Sequence, residues 1–249
     1  MQPHRNRYWL NANPEDPVEF QAQVKAVCDL YQAASNLHQQ GIHLVSIDEM
    51  TAIQALERVH PTKPMRPGQV ELQEFEYIRH GTQSLIANLE VATGQVIAPS
   101  LGLTRTEADF AAHISQTVDL DPDAEWIFII DQLNIHKSES LVRLVAQRCQ
   151  IQTELGVKER SGILQSMKTR AAFLSDLTHR IRFVYVPKHT SWLNQIEIWF
   201  SILARRLLKR GSFTSLDDLR QRILSFIEYF NLTMAKPFNW KYTGEKCTT

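Results

Sequence analysis

Apolar residues along the chain fall into short runs of two periodicities, and the switches between them predict the element order. After the turn around Pro14 to Pro17, Phe20, Val24, Val27, Cys28 and Tyr31 recur at helical spacing, giving a helical lead-in that Gly41 closes. The run IHLVSIDEM then reads as a strand ending in Asp48, and the proline-rich HPTKPMRPG from His60 to Gly68 reads as loop. Two further strand patterns follow: EFEYIR, in which Phe75 and Tyr77 alternate with charge, and SLIANLEVA. The Ala92-Thr93-Gly94-Gln95 stretch suggests a tight turn into another run, VIAP.

Thr104 with Glu107 fits a capping box opening a helix to about Val118, which the Asp121 to Asp123 turn ends. EWIFIID is continuously apolar up to Asp131, as expected of a strand covered on both faces. Ser138 starts a helix with Leu141, Leu144 and Val145 on one face, and a longer basic, helical stretch is expected up to about His179. RFVYV is the last strand pattern. Asn194 reads as the N-cap of a helix that Gly211 stops, and a final amphipathic helix begins near Ser215 and carries Leu219, Ile223 and Phe226. Three strands, helix, strand, helix, strand, helix is an α/β order that predicts a mixed five-stranded sheet flanked by helices, as in ribonuclease H, with a helical stretch before the last strand. The expected organisation is a lead-in over 1–40, an α/β domain over 41–232, and a tail over 233–249.

Composition narrows this picture. No apolar run approaches the roughly 20 residues needed to span a bilayer, and the N-terminal stretch lacks the apolar centre of a secretory signal, so a cytoplasmic or nucleoid-associated protein is expected. Cys28, Cys149 and Cys247 are odd in number and far apart, which argues against a disulfide framework or zinc ribbon. The formal net charge is zero, but from Gly156 to Arg210 eleven basic residues face three acids. A basic block of this kind is attracted to phosphates through counterion release, and equally describes a solvated helical face. Lys158, Arg160, Lys168 and Arg170 make a DNA-facing insertion an expectation. No Walker loop, GxGxxG, HExxH or GxSxG motif is present, which disfavours nucleotide hydrolysis, dinucleotide redox and serine hydrolysis.

Three acids occupy element ends: Asp48 after the first strand, Asp131 at the mouth of the buried strand, and Glu197 in the first turn of a helix. Mg²⁺ prefers carboxylate oxygens and keeps waters and substrate phosphate, so converging acids are what a phosphodiester-cutting site needs, with two ions about 4 Å apart serving the attacking and leaving oxygens. Taken singly, each acid also fits a cap or turn. Glu49 rivals Asp48, and the alternation in VSIDEM leaves open which of them faces a site. His136 and His189 are candidates for phosphate contact or proton transfer. Trp199 and Phe200 fit a core face, whereas Trp192, in a loop, is the better candidate for stacking on bases.

SIDEM, IIDQLNIHKS and VPKHTSWLNQIEIWFSIL together resemble the catalytic domain of mariner-superfamily DDE transposases, in particular those of bacterial insertion sequences. The likeness runs from RYWLN near the N-terminus to KPFNW near the C-terminus. It implies that Asp48, Asp131 and Glu197 are the catalytic, metal-binding carboxylates, with two Mg²⁺ ions for which Mn²⁺ substitutes. It further implies cleavage at transposon ends, strand transfer into target DNA, and a homodimer or higher assembly on DNA, with Lys188, His189 and Trp192 near the substrate. The gap between Asp131 and Glu197 is longer than the family usually has, and an insertion near Gln150 to His179 accounts for it at modest closure cost. The family's N-terminal helix-turn-helix modules have no room before Asp48, so specific recognition of ends by this chain alone is not expected. A stand-alone ribonuclease H-like nuclease and a non-catalytic transposase remnant remain as alternatives.

Overall fold

The computed structural model describes Pro14 and residues 16–61, 63–72 and 74–244; RYWLN and Cys247 lie outside the described residues. Cys28 and Cys149 are free thiols. A five-stranded sheet in the order β3-β2-β1-β4-β5 forms the centre. Its strands are β1 (Ile42–Arg58), β2 (Tyr77–Glu90), β3 (Val96–Gly102), β4 (Glu125–Ile130) and β5 (Ile181–Tyr185). β1 to β3 pair antiparallel, while β4 runs parallel to both β1 and β5. This is the expected mixed sheet flanked by helices.

Helix α1 (Pro17–Gln39) lies on one face, where Val24, Val27, Cys28 and Tyr31 pack with Leu44, Ile127 and Ile129. α5 (Ile196–Leu203) and α6 (Leu216–Thr233) pack with β2 residues Leu85, Ala87 and Leu89. The opposite face receives α2 (Glu107–Val118), α3 (Glu139–Arg148) and α4 (Met167–Leu174), whose apolar residues meet Val45, Ile47, Phe128 and Ile130. Strand side chains alternate between faces, so this division assigns every central position to one layer or the other.

Four details differ from the sequence expectations. Asp48 lies inside β1, which runs on to Arg58. EFEYIR and SLIANLEVA belong largely to one strand, β2, because Ile53 to Arg58 pair with Tyr77 to Gln83 as a two-stranded extension. Residues 77–79 are exposed there, so the polar HGTQ stretch breaks the apolar pattern without breaking the backbone pairing. The capping box of α2 is Thr106 with Asp109, and Thr104 adds a hydrogen bond to Asp109 Oδ2 at 2.7 Å. Finally, the basic stretch before β5 is mostly loop, with helix only over α4 and a 3₁₀ turn at Ile163–Gln165. Gly156, at a φ of +82°, allows that loop to fold on itself, since a Cβ there would meet the Ser161 carbonyl oxygen at 2.2 Å.

Among the described residues no helix is long and apolar enough to cross a membrane. Within α2, His113 is 1% exposed; its Nδ1 bonds the Ser100 hydroxyl at 2.7 Å and its Nε2 has no partner. Burial pushes its pKa down to about 3. The unfolded chain therefore binds a proton that the folded chain refuses, so the His113 contribution is complete above the ordinary histidine pKa and is lost as pH falls below it. Chemical denaturation at pH 7 and pH 5 is expected to show a loss of about 2 kcal/mol that His113→Gln does not share. An identical pH dependence in the variant would contradict this.

Candidate active site

β1 and β4 are in parallel register with Ser46 opposite Ile129, so two residues further on Asp48 comes level with Asp131, just past the end of β4. Leu44, Ser46 and Asp48 share one face of β1, and Ile127, Ile129 and Asp131 share the same face of β4. α5 crosses that face and brings Glu197 in its first turn. Alternation leaves Glu49 on the other face. The period-two rule thus separates the two neighbouring acids that the sequence could not.

Asn194 locks this arrangement. It does not cap α5 with its side chain, as the sequence suggested, because α5 has no side-chain cap. Instead its fully buried amide donates to the Ile47 carbonyl at 2.9 Å and to Asp48 Oδ2 at 3.2 Å, and its Oδ1 accepts from Ser46. The loop into α5 is thereby stitched to β1 beside Asp48. The backbone N–H of Glu49 donates to the second Asp48 oxygen at 2.8 Å.

The acids are electrostatically uncomfortable. Burial, followed by the charges of Asp131, Glu49 and Glu197, pushes Asp48 up to about 7 against the opposing Glu49 hydrogen bond. Burial and the Asp131 charge raise Glu197 as well. Burial also works against ionising Asp131, but the His136 and Leu133 hydrogen bonds and the charges of His136 and Arg105 outweigh it and hold this carboxyl below its usual range. What raises Asp48 and Glu197 is burial and the other acids. Among the described residues, the one trio of His, Cys, Asp or Glu whose ligand atoms all fall within 4.8 Å is elsewhere. Desolvated carboxylates with no cationic side chain between them form a donor set of hard oxygens that fits a divalent ion such as Mg²⁺ or Mn²⁺.

On the far side of β4, His136 is fully buried and bridges Asp131 Oδ1 at 2.7 Å and Glu49 Oε1 at 2.9 Å. These two acids work against the burial of the ring and push His136 up to about 9, which favours the imidazolium form donating to both. Tyr185 closes the shell by donating to the His136 carbonyl at 2.9 Å. His136 and Glu49 are therefore positioning groups behind Asp131.

A family model described as a DDE superfamily endonuclease matches residues 43–220. The chain belongs to this family. Two solved structures share its fold: the Mos1 mariner paired-end complex with Mn (TM-score 0.53, 13% identity, covering 90% of this chain and 59% of that one) and the catalytic domain of the Mos1 mariner transposase (TM-score 0.50, 10% identity, covering 88% and 85%). This DDE endonuclease thus spans about 59% of the Mos1 chain in the paired-end complex. A search of curated proteins gives no match.

Other residues singled out from sequence separate by position. Lys168 and Lys188 line one groove together with Glu19, Gln132, Asn134, Lys137 and Arg182. Lys158 and Arg160 are exposed in the loop before α4, and Lys158 lies 3.8 Å from Glu107. Arg170 is a correction: it is 6% exposed, with its guanidinium donating to the Leu164 carbonyl at 3.1 Å, so its charge organises the loop and does not face a partner. His189 is exposed at a φ of 62°. Trp192 is 52% exposed and meets Tyr242 edge-on, whereas Trp199 and Phe200 are core. Arg105 and Lys137, both close enough to influence Asp131, were not legible in the sequence because a lone loop cation carries no pattern. Lys137 sits over the Tyr185 ring at 4.7 Å and donates to Gln132.

The His136 bridge makes a quantitative expectation. His136→Leu strands a buried Glu49 and should cost about 3–5 kcal/mol, whereas adding Glu49→Leu should recover part of that loss. A double-mutant cycle by urea denaturation checks this; additive losses would contradict the bridge.

Proposed function

We propose that this DDE endonuclease is the catalytic domain of a mariner-superfamily transposase of the kind bacterial insertion sequences carry. In this reading Asp48, Asp131 and Glu197 are the catalytic carboxylates, the substrate is DNA at transposon ends, and strand transfer into target DNA follows cleavage. The observation that carries the reading is the convergence of three desolvated acids, with no cation between two of them, on one face at the end of β4. The family match supports it, as does the shared fold with Mos1 structures that include a pre-cleavage transpososome (TM-score 0.50).

The three carboxylates would hold two Mg²⁺ ions, with Mn²⁺ substituting, in positions about 4 Å apart. Bound there, the ions supply activation of the attacking oxygen and stabilisation of the leaving one. The chain's own groups do the aiming. Asn194 and the Glu49 N–H fix both oxygens of Asp48, while His136 and the Leu133 N–H fix Asp131. Lys137, Lys168 and Lys188 along their shared groove would hold the DNA backbone, with Lys158, Arg160, His189 and Trp192 as further contacts. The stretch 150–179 is read as an insertion within a catalytic domain over 41–232. The working assembly is a homodimer or higher on DNA in the cytoplasm or nucleoid.

Incubating the chain with duplex DNA under Mg²⁺ or Mn²⁺ tests this. Cleavage is expected only with metal and should fall about a thousandfold in Asp131→Ala, equivalent to about 4 kcal/mol. Joined products support strand transfer, cleavage without joining favours a simple nuclease, and DNA binding without any cleavage favours a non-catalytic remnant. Separately, reversing the charges of Lys158, Arg160 and Lys168 should lower the slope of log K against log salt by about 0.9 for each phosphate that is no longer neutralised. An unchanged slope would remove this loop from the DNA interface.

A further inference from the structure

At the end of the sheet remote from Asp48, side chains from three elements converge. They are His38 in the last turn of α1, His43 at the start of β1, and Glu90 at the end of β2. His43 Nδ1 lies 2.6 Å from Glu90 Oε1, His38 Nδ1 lies 3.3 Å from the same oxygen, and the ligand atoms of all three fall within 4.8 Å of one another. Asp48 lies five residue steps beyond His43, roughly 16 Å along β1, so this cluster is distinct from the carboxylate site.

We propose that His38, His43 and Glu90 bind a transition-metal ion of the Zn²⁺ class, with water completing the coordination. Two imidazoles and one carboxylate form a borderline nitrogen-rich donor set, which Zn²⁺ and Co²⁺ accept and Mg²⁺ does not favour. Ligand atoms about 2.0–2.2 Å from a tetrahedral ion lie about 3.3 Å from each other. The His38–Glu90 separation already has that value, and the His43–Glu90 contact must open by about 0.7 Å as a proton leaves the ring and the ion enters.

The surroundings match such a site. The Glu90 side chain is only 8% exposed and the His43 side chain 18%, while His38 at 43% leaves an approach from solvent. His43 stacks on Trp126 with ring centroids 4.1 Å apart, which fixes the plane of the ring. Its other nitrogen, Nε2, faces Asp121 Oδ2 at 3.4 Å. A carboxylate behind the second nitrogen is the outer-shell partner that orients a metal-bound histidine and raises its basicity. The ion would staple the C-terminal end of α1 to two neighbouring strands.

The test is titration of untagged, chelator-treated protein with Co²⁺, followed by displacement with Zn²⁺. One equivalent is expected to give the intense visible absorption of tetrahedral Co²⁺, which Zn²⁺ abolishes while raising the melting temperature. His38→Ala, at the most exposed ligand, should weaken binding at least tenfold, and Glu90→Gln should do the same. Asp131→Asn, which alters the carboxylate site, should leave the spectrum intact. A spectrum that survives His38→Ala, one that vanishes in Asp131→Asn, or no tetrahedral spectrum at all would overturn the proposal.

Discussion

The position of every group at the candidate active site depends on the central strand β1 being paired on both sides at once, antiparallel to β2 and parallel to β4. A one-residue slip of either ladder would exchange the two faces of the strand and send Asp48 to where Glu49 now sits. The apolar neighbours forbid that slip. Val45 and Ile47 are fully buried among α2 and α3, Leu44 is buried against α1, and neither set can trade environments without exposing the core. The ordinary hydrophobic pattern of a strand therefore sets the direction in which a carboxylate points.

That constraint produces two acidic environments separated by one peptide unit. On one face Asp48 approaches Asp131 and Glu197 and is pushed toward neutrality by burial and by their charges. On the other, Glu49 is neutralised by an imidazolium that also holds Asp131. His136 thus serves Glu49 and Asp131, while Asp48 is left to burial and to the charges of its fellow acids. This asymmetry is what the proposed metal site rests on, since an ion pair built into the core would carry its own counter-charge.

Much of this was legible in the sequence, for identifiable reasons. The wholly apolar EWIFII stops abruptly at Asp131, and a buried parallel strand leaves few other readings. Ser138 and Ser215 are the N-caps of α3 and α6, since a hydroxyl three residues before an amide is a local signal. Long-range geometry was not legible. Alternation gives the parity of Asp48 and Glu49 but not which parity faces α5. Asn194 looked like a cap because its bonds to β1 span 147 and 146 residues of sequence. Arg170 looked like a phosphate contact because composition counts charge without direction, and its guanidinium turns inward. The His38, His43 and Glu90 group spans three elements, so no spacing announces it.

The most direct measurement of the central claim is the anomalous diffraction of crystals equilibrated with Mn²⁺. The account predicts Mn²⁺ peaks coordinated by Asp48, Asp131 and Glu197 on the α5 face of β1. Saturating Mn²⁺ that leaves these three carboxylates without a peak, or that binds on the Glu49 face instead, would contradict it.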